Sequence, residues 1–376
     1  MAFHFNVSRD EFLRALSAQQ NIAAKKGTLA ILANVLLSIH EDRIIINGTD
    51  LEIGLKQTIP AEVFETGTLT LPAKKLFELV RESSAPTLSF REMDNHWVEV
   101  VAGSSKYKLA GMLGDDFPEF PEFNEEALIS IPGEVMGELI DKTIYSISTD
   151  KENMYSLTGA LLVKESIGGK PVLRLVSSDG HRLSIMAKEV DESVEGLTMN
   201  PVTLIPRKGI QEMKKFCEEK ENFFLGIEPK QAVLKSDNSL LIIRLMDAAF
   251  PDYLGVLQLN SGMNKVKINR LKFLESLKRI NIFTEDDFHT IKIDIANNEL
   301  KLTSQNADFG SAEDTIEVLY EGEALSMAFN CKYFIETLQV MEGETITADI
   351  ASNEAPCFIG SEDDLGFISI IMPMQI

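Results

Sequence analysis

The sequence is poor in cysteine, and this shortage argues against two kinds of site. Its three cysteines, Cys217, Cys331 and Cys357, are far apart and odd in number, and the five histidines are scattered. A disulfide framework or a zinc site would need paired cysteines or a cysteine and histidine cluster. We therefore expect no metal site, and we expect the cysteines to pack as small apolar residues.

Long apolar runs are also missing. No run approaches the roughly 18 to 20 residues that span a bilayer. Residues 1–5 (MAFHF) lack the basic region and apolar core that begin a signal peptide. With 44% hydrophobic and 25% charged residues, the composition is that of an ordinary soluble protein. We expect a cytoplasmic protein that makes no membrane contact.

Positive charge is scarce, because 36 Lys and Arg stand against 58 Asp and Glu. A net charge of −22 argues against binding phosphates, but the charge is unevenly distributed. Six segments predicted below as helices hold 16 basic and 12 acidic residues, whereas the remainder sums to −26. If the helices share one surface, that surface can face a polyanion. A solvated helix face of mixed charge is the commoner meaning of such a bias.

A threefold internal repeat is the main positive feature. Each third has a polar helix, an apolar strand run, a strand broken by a polar corner, and a second helix. The corners hold Asp50, Asp179 and Asn306, which lie 129 and 127 residues apart, so the unit is a whole domain. We predict domains at residues 1–127, 128–254 and 255–376. The predicted helices are 8–20, 72–83, 132–142, 206–220, 269–280 and 330–341, and the strand runs are 31–39, 157–164 and 288–295.

The predicted fold class is α+β. About eight short strands in each third are rich in Val, Ile, Leu and Phe and are bounded by turn signals such as Asn47-Gly48. Antiparallel sheets with the helices on one face fit this order of elements. Segment 72–83 has a single apolar stripe, so it is expected to lie on a sheet with its charged side free to meet a partner.

Candidate chemistry is sparse. The segment Ser178-Asp179-Gly180-His181-Arg182 places a carboxylate, an imidazole and a guanidinium together and can be interpreted as a general-base site. However, Asp-Gly is a tight-turn signal, and the corners of the other thirds lack the His and Arg. The sequence has neither a Gly-rich phosphate loop with its lysine nor a nucleophile elbow. We therefore favour a structural turn or binding surface over an enzyme, and we expect no cofactor.

The last residues, 368–376, form an apolar run that includes two methionines. We predict a strand at Ile368–Ile371 and an apolar groove at Met372–Ile376. Methionine is flexible and polarizable, which suits a surface that accepts several different ligands. The alternative is a buried edge strand that ends in the core.

Seven short stretches, in their order and spacing, resemble the bacterial sliding clamps, the β subunits of DNA polymerase III. They are TLAILAN from Thr28, LPAKKLF from Leu71, DFPEF from Asp116, SDGHRL from Ser178, IPRKG from Ile205, FPDY from Phe250 and MPM from Met372. The resemblance covers essentially the whole chain. It implies three similar domains per chain, and a homodimer closed head to tail into a ring with helices lining the hole.

The resemblance also implies the function. A ring around duplex DNA cannot dissociate sideways, so weak, sequence-independent contacts let it slide. Tethering a polymerase to the ring raises its effective concentration at the primer end, which makes synthesis processive without any reaction by the ring. The implied partners are the DNA polymerase III catalytic subunit, the clamp loader, and other polymerases and repair factors that dock through short peptides.

Three sets of site residues follow from the resemblance. The peptide groove would comprise Leu157, Ser178, Gly180, His181, Arg182, Leu183, Pro251, Val256, Pro356, Ile370, Ile371, Met372, Pro373, Met374 and Ile376. The DNA-facing residues would be Lys26, Lys74, Lys75, Arg207, Lys208, Lys214 and Lys215. The dimer interface would use Tyr107, Leu109, Ile282 and Phe283. Two residues depart from the family pattern, since Gly255 and Gln375 stand where basic residues occur in relatives.

Two other functional classes stay open at this stage. One is an enzyme that uses Asp179, His181 and Arg182. The other is a protein-interaction scaffold that does not encircle DNA. Retention on circular DNA and release after linearisation would separate the clamp from the scaffold.

Overall fold

The computed structural model describes residues 3–23, 29–150, 154–218, 220–260, 264–284 and 288–374. In these ranges the chain forms seven α-helices and 25 β-strands. The helices are α1 (Arg9–Ile22), α2 (Ala73–Glu82), α3 (Gly133–Asp141), α4 (Arg207–Glu218), α5 (Tyr253–Leu257), α6 (Arg270–Ile280) and α7 (Cys331–Val340).

The strands are short and spread evenly along the chain. The first nine are β1 (His4–Ser8), β2 (Asn34–Ile39), β3 (Arg43–Thr49), β4 (Ile53–Pro60), β5 (Glu62–Glu65), β6 (Gly67–Pro72), β7 (Thr87–Glu92), β8 (Trp97–Ala102) and β9 (Ser105–Ala110). The next eight are β10 (Ile129–Pro132), β11 (Gly159–Ile167), β12 (Lys170–Ser178), β13 (Arg182–Glu189), β14 (Thr203–Pro206), β15 (Asn222–Glu228), β16 (Gln231–Lys235) and β17 (Ser239–Arg244). The last eight are β18 (Asn264–Asn269), β19 (Thr290–Ala296), β20 (Glu299–Asn306), β21 (Gly310–Leu319), β22 (Leu325–Asn330), β23 (Thr345–Ile350), β24 (Cys357–Gly360) and β25 (Phe367–Ile371).

Three sheets hold these strands. Their strand orders are β5-β1-β7-β8-β9, then β10-β15-β16-β17-β4-β3-β2-β6, and finally β14-β11-β12-β13-β25-β24-β23-β18-β21-β20-β19-β22. The ladders whose register is resolved are antiparallel, as in the joins β4 with β17 and β13 with β25. The predicted α+β class is confirmed. Among the described helices, none has the length and apolar content needed to cross a bilayer.

The six predicted helices are confirmed to within two residues at each end. The strand predicted for residues 31–39 is wrong at its start, because Ala30–Ala33 is a 3-10 turn and β2 begins at Asn34. Ile31 and Leu32 are buried against Phe117 in a small apolar cluster, so side-chain packing replaces strand pairing there. Helix α5 was not predicted.

The chain divides into two compact units. Unit 1 comprises residues 1–131, 196–198 and 220–245, and unit 2 comprises residues 132–195, 199–219 and 246–376. This division passes through the predicted middle domain. The predicted domain borders after residues 127 and 254 stay predictions.

In unit 1, aromatic residues join a helix to the five-stranded sheet. Phe5 of β1 stacks on Phe90 of β7 with ring centroids 5.0 Å apart, and Phe12 of α1 meets Phe90 edge to face at 5.5 Å. All three rings are fully buried. Because the apolar stripes of α1 and α2 face this core, their charged faces point away from it.

In unit 2, a buried ion pair joins the middle and last thirds of the chain. Lys142, which follows α3, pairs with Asp364 in the turn between β24 and β25, and both side chains are almost fully buried. The Asp364 carboxylate also accepts bonds from the backbone N–H groups of Glu342 and Gly343. Burial acts to raise the pKa of Asp364, but these bonds and the Lys142 charge outweigh it and lower that pKa.

Candidate functional site

The polar corner between β12 and β13 is held by its own side chains. The Ser178 hydroxyl donates to the Arg182 carbonyl (2.7 Å) and accepts from the Gly180 N–H (3.1 Å). The Asp179 carboxylate accepts from the N–H groups of His181 and Arg182, both at 3.1 Å. Gly180 has φ +88°, a conformation that suits glycine. The segment is therefore a tight turn, as predicted.

The Arg182 side chain is fully engaged. Its guanidinium donates to Asp179 Oδ2 (2.9 Å), to the Tyr145 carbonyl (2.8 Å) and to Glu336 of α7. It also lies over the rings of Tyr145 and Tyr333, 5.1 and 4.5 Å from their centroids. Burial opposes the charge, but the two carboxylates outweigh it and raise the pKa of Arg182. Arg182 is a fixed cation that ties the corner to α7.

The alternative of a catalytic Asp179, His181 and Arg182 finds no support in this geometry. The Asp179 carboxylate oxygens already accept from the N–H groups of the turn and from the Arg182 guanidinium. The His181 ring stacks on Tyr333 with centroids 6.5 Å apart. A general base needs a free acceptor pointed at a substrate, whereas these groups hold the corner in shape.

An apolar cluster, here called the groove cluster, lies beside this corner. Strand register places Leu183 opposite Ile370 and Ile370 opposite Phe358, so the three side chains share one face of the sheet. Residues 246–257 pack on the same cluster. Its buried members are Leu161, Val176, Leu183, Ile185, Leu204, Met246, Tyr253, Phe358 and Ile370, and Val163, Ala248, Phe250, Val256, Leu257 and Ile368 pack against them.

The end of the chain runs along the corner. The predicted strand at Ile368–Ile371 is confirmed within β25. Beyond it, the Met372 N–H donates to the His181 carbonyl (2.9 Å) and the Met374 N–H to the Ala328 carbonyl (2.8 Å). Met372 is 41% exposed. An accessible methionine thus lies next to the corner.

The structure brings most of the predicted groove residues together. Leu183, Val256 and Ile370 belong to the groove cluster, and Ile371 pairs with Arg182. A Cβ on Gly180 would lie 3.8 Å from Leu157, which places Leu157 at the corner. Of the other predicted positions, Pro251 is exposed before α5, Pro356 is buried before β24 and Pro373 is half-buried after β25. Ile376 lies outside the described residues.

Sequence analysis missed several residues of this site. Tyr145, Tyr333 and Glu336 surround Arg182, and Phe358 and Tyr253 belong to the groove cluster. They come from four separate segments, so no local pattern joins them. The FPDY stretch was the one signal that pointed to Tyr253.

The predicted DNA-facing cations are mostly paired. Lys75 bonds Glu78 at 2.8 Å, and Lys74 lies 4.0 Å from the same carboxylate. Lys215 bonds Glu212 at 2.7 Å, and Lys214 pairs with Asp141 at the end of α3, which raises the pKa of Lys214. Two acidic residues of α3, Glu138 and Asp141, thus have basic partners on neighbouring elements, Lys188 and Lys214.

Arg207, at the start of α4, is bound by backbone rather than by acids. Its guanidinium donates to the carbonyls of Ile147 (2.5 Å) and Ile144 (3.3 Å). Burial lowers the pKa of Arg207, and the nearby charge of Arg182 adds to the effect. Lys208 is the second residue of α4, and Lys26 lies outside the described residues.

Two strand edges of unlike charge contain or adjoin the predicted interface residues. In unit 1, β9 ends the five-stranded sheet and carries Lys106, Tyr107 and Lys108, with Tyr107 40% exposed. In unit 2, residues 310–317 of β21 pair with β20, while the register with β18 covers only Val318 and Leu319. This half of β21 carries Glu313, Asp314 and Glu317. Ile282 is 73% exposed in the turn after α6, and Phe283 beside it is half-buried.

Comparison with known families gives three consecutive matches. Residues 3–121 match the DNA polymerase III beta subunit, N-terminal domain; residues 130–252 match its central domain, and residues 260–375 its C-terminal domain. Among curated proteins, the beta sliding clamps of Chlamydia pneumoniae and Haemophilus influenzae are each 28% identical. The alignments cover 99% of this chain and 99% and 100% of those proteins.

Solved structures agree with the family matches. A sliding clamp (DNA polymerase III subunit beta) from Bartonella birtlesii, bound to griselimycin, is 25% identical with a TM-score of 0.93 and full coverage of both chains. The polymerase III beta subunit of Caulobacter crescentus is 27% identical with a TM-score of 0.92, covering 99% of this chain and 100% of that one.

Proposed function

The chain belongs to the family of DNA polymerase III β subunits, the β sliding clamps, and on this premise we propose that two copies close head to tail around duplex DNA. The protein is a DNA sliding clamp of three clamp domains, the non-catalytic processivity subunit of a replicative polymerase. On this proposal it works in the cytoplasm, where a bacterial chromosome lies.

The pair of strand edges of opposite charge is the observation that carries the ring proposal. Lys106 and Lys108 on β9 would meet Glu313 and Glu317 on β21 of a second copy. Contacts between unlike edges are heterologous, and they close into a ring when the rotation per subunit allows it. Two β9 edges would instead bring like charges together, which disfavours the symmetric pairing.

The faces of the two edges also match. On β9, Leu109 packs on the unit 1 core beneath α1 and α2, so Tyr107 faces the helix side and Lys106 and Lys108 face away. On β21, Asp314 bonds Ser276 and Arg279 of α6, so Glu313 and Glu317 face away from the helices. Joined edge to edge, the lysines meet the glutamates while Tyr107 lies on the side of Ile282.

We assign the DNA contact to the cationic faces of the helices, with Lys26, Lys74, Lys75, Arg207, Lys208, Lys214 and Lys215 as its predicted residues. Most of these cations already have an acidic or carbonyl partner, so each adds little to phosphate binding. Weak contacts suit a ring that is retained by closure, because strong ones would oppose sliding.

We assign peptide docking to the groove cluster and the 178–183 corner. The docking segments would be short peptides of the polymerase III catalytic subunit, the clamp loader, and other polymerases and repair factors. Apolar anchors of such a peptide would replace water on Met372, which is exposed beside the groove cluster, and on half-buried cluster residues such as Val256.

Loading on closed DNA tests the ring. We expect the clamp, opened by its loader, to stay on nicked circular DNA in 0.5 M salt and to leave within minutes of linearisation. A scaffold that binds without encirclement would dissociate from circular and linear DNA at the same rate.

The seam is tested by sedimentation. Ile282→Ala with Phe283→Ala should yield monomers, and an unchanged dimer would remove this seam. Lys106→Glu with Lys108→Glu should weaken the dimer, and adding Glu317→Lys should restore much of it. Glu313 is left unchanged because it pairs with Lys301 of its own chain at 2.7 Å. The reversed pair preserves charge attraction with the opposite polarity, so failure of the rescue would contradict the proposed pairing.

The groove is tested separately from the ring. Deleting residues 372–376 should abolish binding of a clamp-binding peptide in fluorescence anisotropy while the dimer persists. Undiminished peptide affinity would remove the groove assignment and leave the ring proposal standing.

A further inference from the structure

We propose that the groove selects peptides whose residues flanking the apolar anchors are basic or neutral, and discriminates against acidic ones. This inference rests on the proposed peptide docking and specifies the chemistry of the partner. It follows from the charges that surround the groove cluster.

Acidic side chains border the groove cluster on several elements. Asp252 caps α5 and Asp247 lies between cluster residues Met246 and Ala248. Asp349 on β23 is directly opposite Phe358 of the cluster. At the corner lie Asp179 and Glu336, and the side chain of Glu336 is 42% exposed.

The cations around the cluster have anionic partners or neighbours. Arg182 is shared between Asp179 and Glu336. Arg174, which bonds the Tyr253 hydroxyl at 3.3 Å, pairs with Glu165 at 2.5 Å. Lys265 lies opposite Asp349 in the sheet. Arg207, whose charge interacts with those of Arg182 and Glu336, is a fourth cation beside the corner. These six acids and four cations sum to −2, so a peptide enters a site of negative potential.

Asp349 supplies an acceptor as well as a charge. Its Oδ1 atom is buried and has no hydrogen-bond partner among the described residues. Burial raises the pKa of Asp349, and the opposing effect of Lys265 is smaller. A buried acceptor without a donor is costly, and a basic side chain near Phe358 would lower that cost.

Three matched peptides test the selection. They share one apolar clamp-binding core and carry Lys-Lys, Gln-Gln or Glu-Glu on each flank, and their affinities for the full-length dimer are measured by anisotropy. We expect the Lys peptide to bind about tenfold more tightly than the Glu peptide at 50 mM salt, with the Gln peptide between them. At 1 M salt, where the screening length is about 3 Å, the three affinities should converge.

A charge-neutralised variant assigns the effect to the groove. Asp252→Asn with Asp349→Asn removes two charges, and asparagine retains the helix cap at position 252. This variant should reduce the preference to about threefold or less. The control Glu41→Gln with Asp42→Asn removes two exposed charges from the β2–β3 turn in unit 1 and should leave the tenfold preference unchanged.

The outcomes separate this inference from the groove assignment. Equal affinities at low salt, or tighter binding of the Glu peptide, would overturn the charge selection while the groove assignment stands. Equal loss of preference in the groove variant and in its control would assign the effect to overall charge and overturn the inference. If none of the three peptides binds, the groove assignment fails and the inference fails with it.

Discussion

Two junctions between successive thirds of the chain share one backbone frame. In unit 1, the corner before β4 has the Leu51 N–H donating to the Thr49 hydroxyl and the Ile53 N–H donating to Asp50. In unit 2, the corner before β13 has the same bonds from Gly180 to Ser178 and from Arg182 to Asp179. The strand that pairs with each corner is held in the same way. At the end of β17 the Arg244 N–H donates to the Glu52 carbonyl, and after β25 the Met372 N–H donates to the His181 carbonyl.

The side chains on this frame differ. Where unit 2 has the paired Arg182, unit 1 has the buried Ile53, and where unit 2 has Leu183, unit 1 has Gly54. A Cβ on Gly54 would lie 3.0 Å from the Phe120 ring, so the segment after β9 packs directly on the sheet there. That segment is further held by a bond from Asn124 N–H to Glu228 at 2.7 Å. The segment after β9 therefore covers the sheet at the first junction. At the second junction, Met372 is exposed and Val256 is half-buried.

The two corners thus share hydrogen-bonded backbone, and we expect the proposed peptide binding to depend on a few side chains. The backbone pattern is needed to place the strands, but it does not make a groove. Substitutions that exchange the two sets of side chains should expose this division of roles.

The largest effect is expected from Ile53→Arg. This substitution places an arginine in the first junction, as Arg182 stands in the second, but without both of the carboxylates that pair with Arg182. Ile53 is 1% exposed, so the guanidinium would be buried without a partner. We expect a loss of about 4 kcal/mol or more in the free energy of unfolding. Urea unfolding followed by Trp97 fluorescence measures it, with Ile53→Val, at about 1 kcal/mol, as control. A loss as small as that of the control would show that the first junction accommodates charge.

A loss of about 3 to 5 kcal/mol is expected for Lys142→Met, which leaves Asp364 buried without its cation. The pKa of Asp364 is lowered in the folded protein, so its stabilising contribution is present above the usual carboxyl pKa. That contribution is lost as pH falls through the lowered value. The difference between variant and wild type should therefore shrink below about pH 4. Unfolding curves at pH 7 and pH 3 test this, and equal differences at both would exclude the ion pair as the cause.

An intermediate effect is expected for Gly54→Leu, which gives the first junction the residue found in the second. The new side chain must displace Phe120, and overpacking of this kind costs about 1 to 3 kcal/mol. Hydrogen exchange should rise in residues 115–124, where the segment is lifted. Gly54→Ala serves as the smaller control, and unchanged exchange in both variants would show that Phe120 does not close this junction.

The smallest effect is expected at the left-handed corner residue. Leu51 has φ +74° and is 53% exposed, whereas its counterpart Gly180 has φ +88°. Leu51→Gly should stabilise by about 0.5 kcal/mol, since relief of strain slightly exceeds the added chain entropy. Gly180→Ala should destabilise, because its Cβ would lie 3.0 Å from Met154. Melting temperatures check both signs, and destabilisation by Leu51→Gly would show that the leucine contacts outweigh the strain.

The sequence predicted the helices because their signals are local. Asn269 and Asn330 accept from the N–H groups of Lys272 and Lys332 and cap α6 and α7, and the apolar stripes have helical spacing. The corners were also predicted, since Ser178 and Asp179 bond their own turn. Where packing overrides the pattern, as at Ile31 and Leu32, the prediction failed.

The site was less accessible to sequence reasoning. Periodicity cannot show that Tyr333 and Glu336 lie on Arg182, because the residues are more than 150 positions apart in the chain. The predicted groove residues came from the resemblance to a family. The structure added the residues that hold Arg182 in place, which are Tyr145, Tyr333 and Glu336. The sequence could not predict that the first junction is covered and the second is not. This difference depends on the contact of Phe120 with Gly54, which are far apart in the chain.

The opposed strand edges have a consequence for assembly at high concentration. A molecule that carries both halves of an unlike contact has no intrinsic limit to growth, and only the angle between successive copies decides whether growth stops. A small change in that angle would turn the proposed closed pair into a helical filament. Clamps with altered edges are therefore best screened for fibres by electron microscopy, because a polymer and a broken ring would look equally inactive in replication.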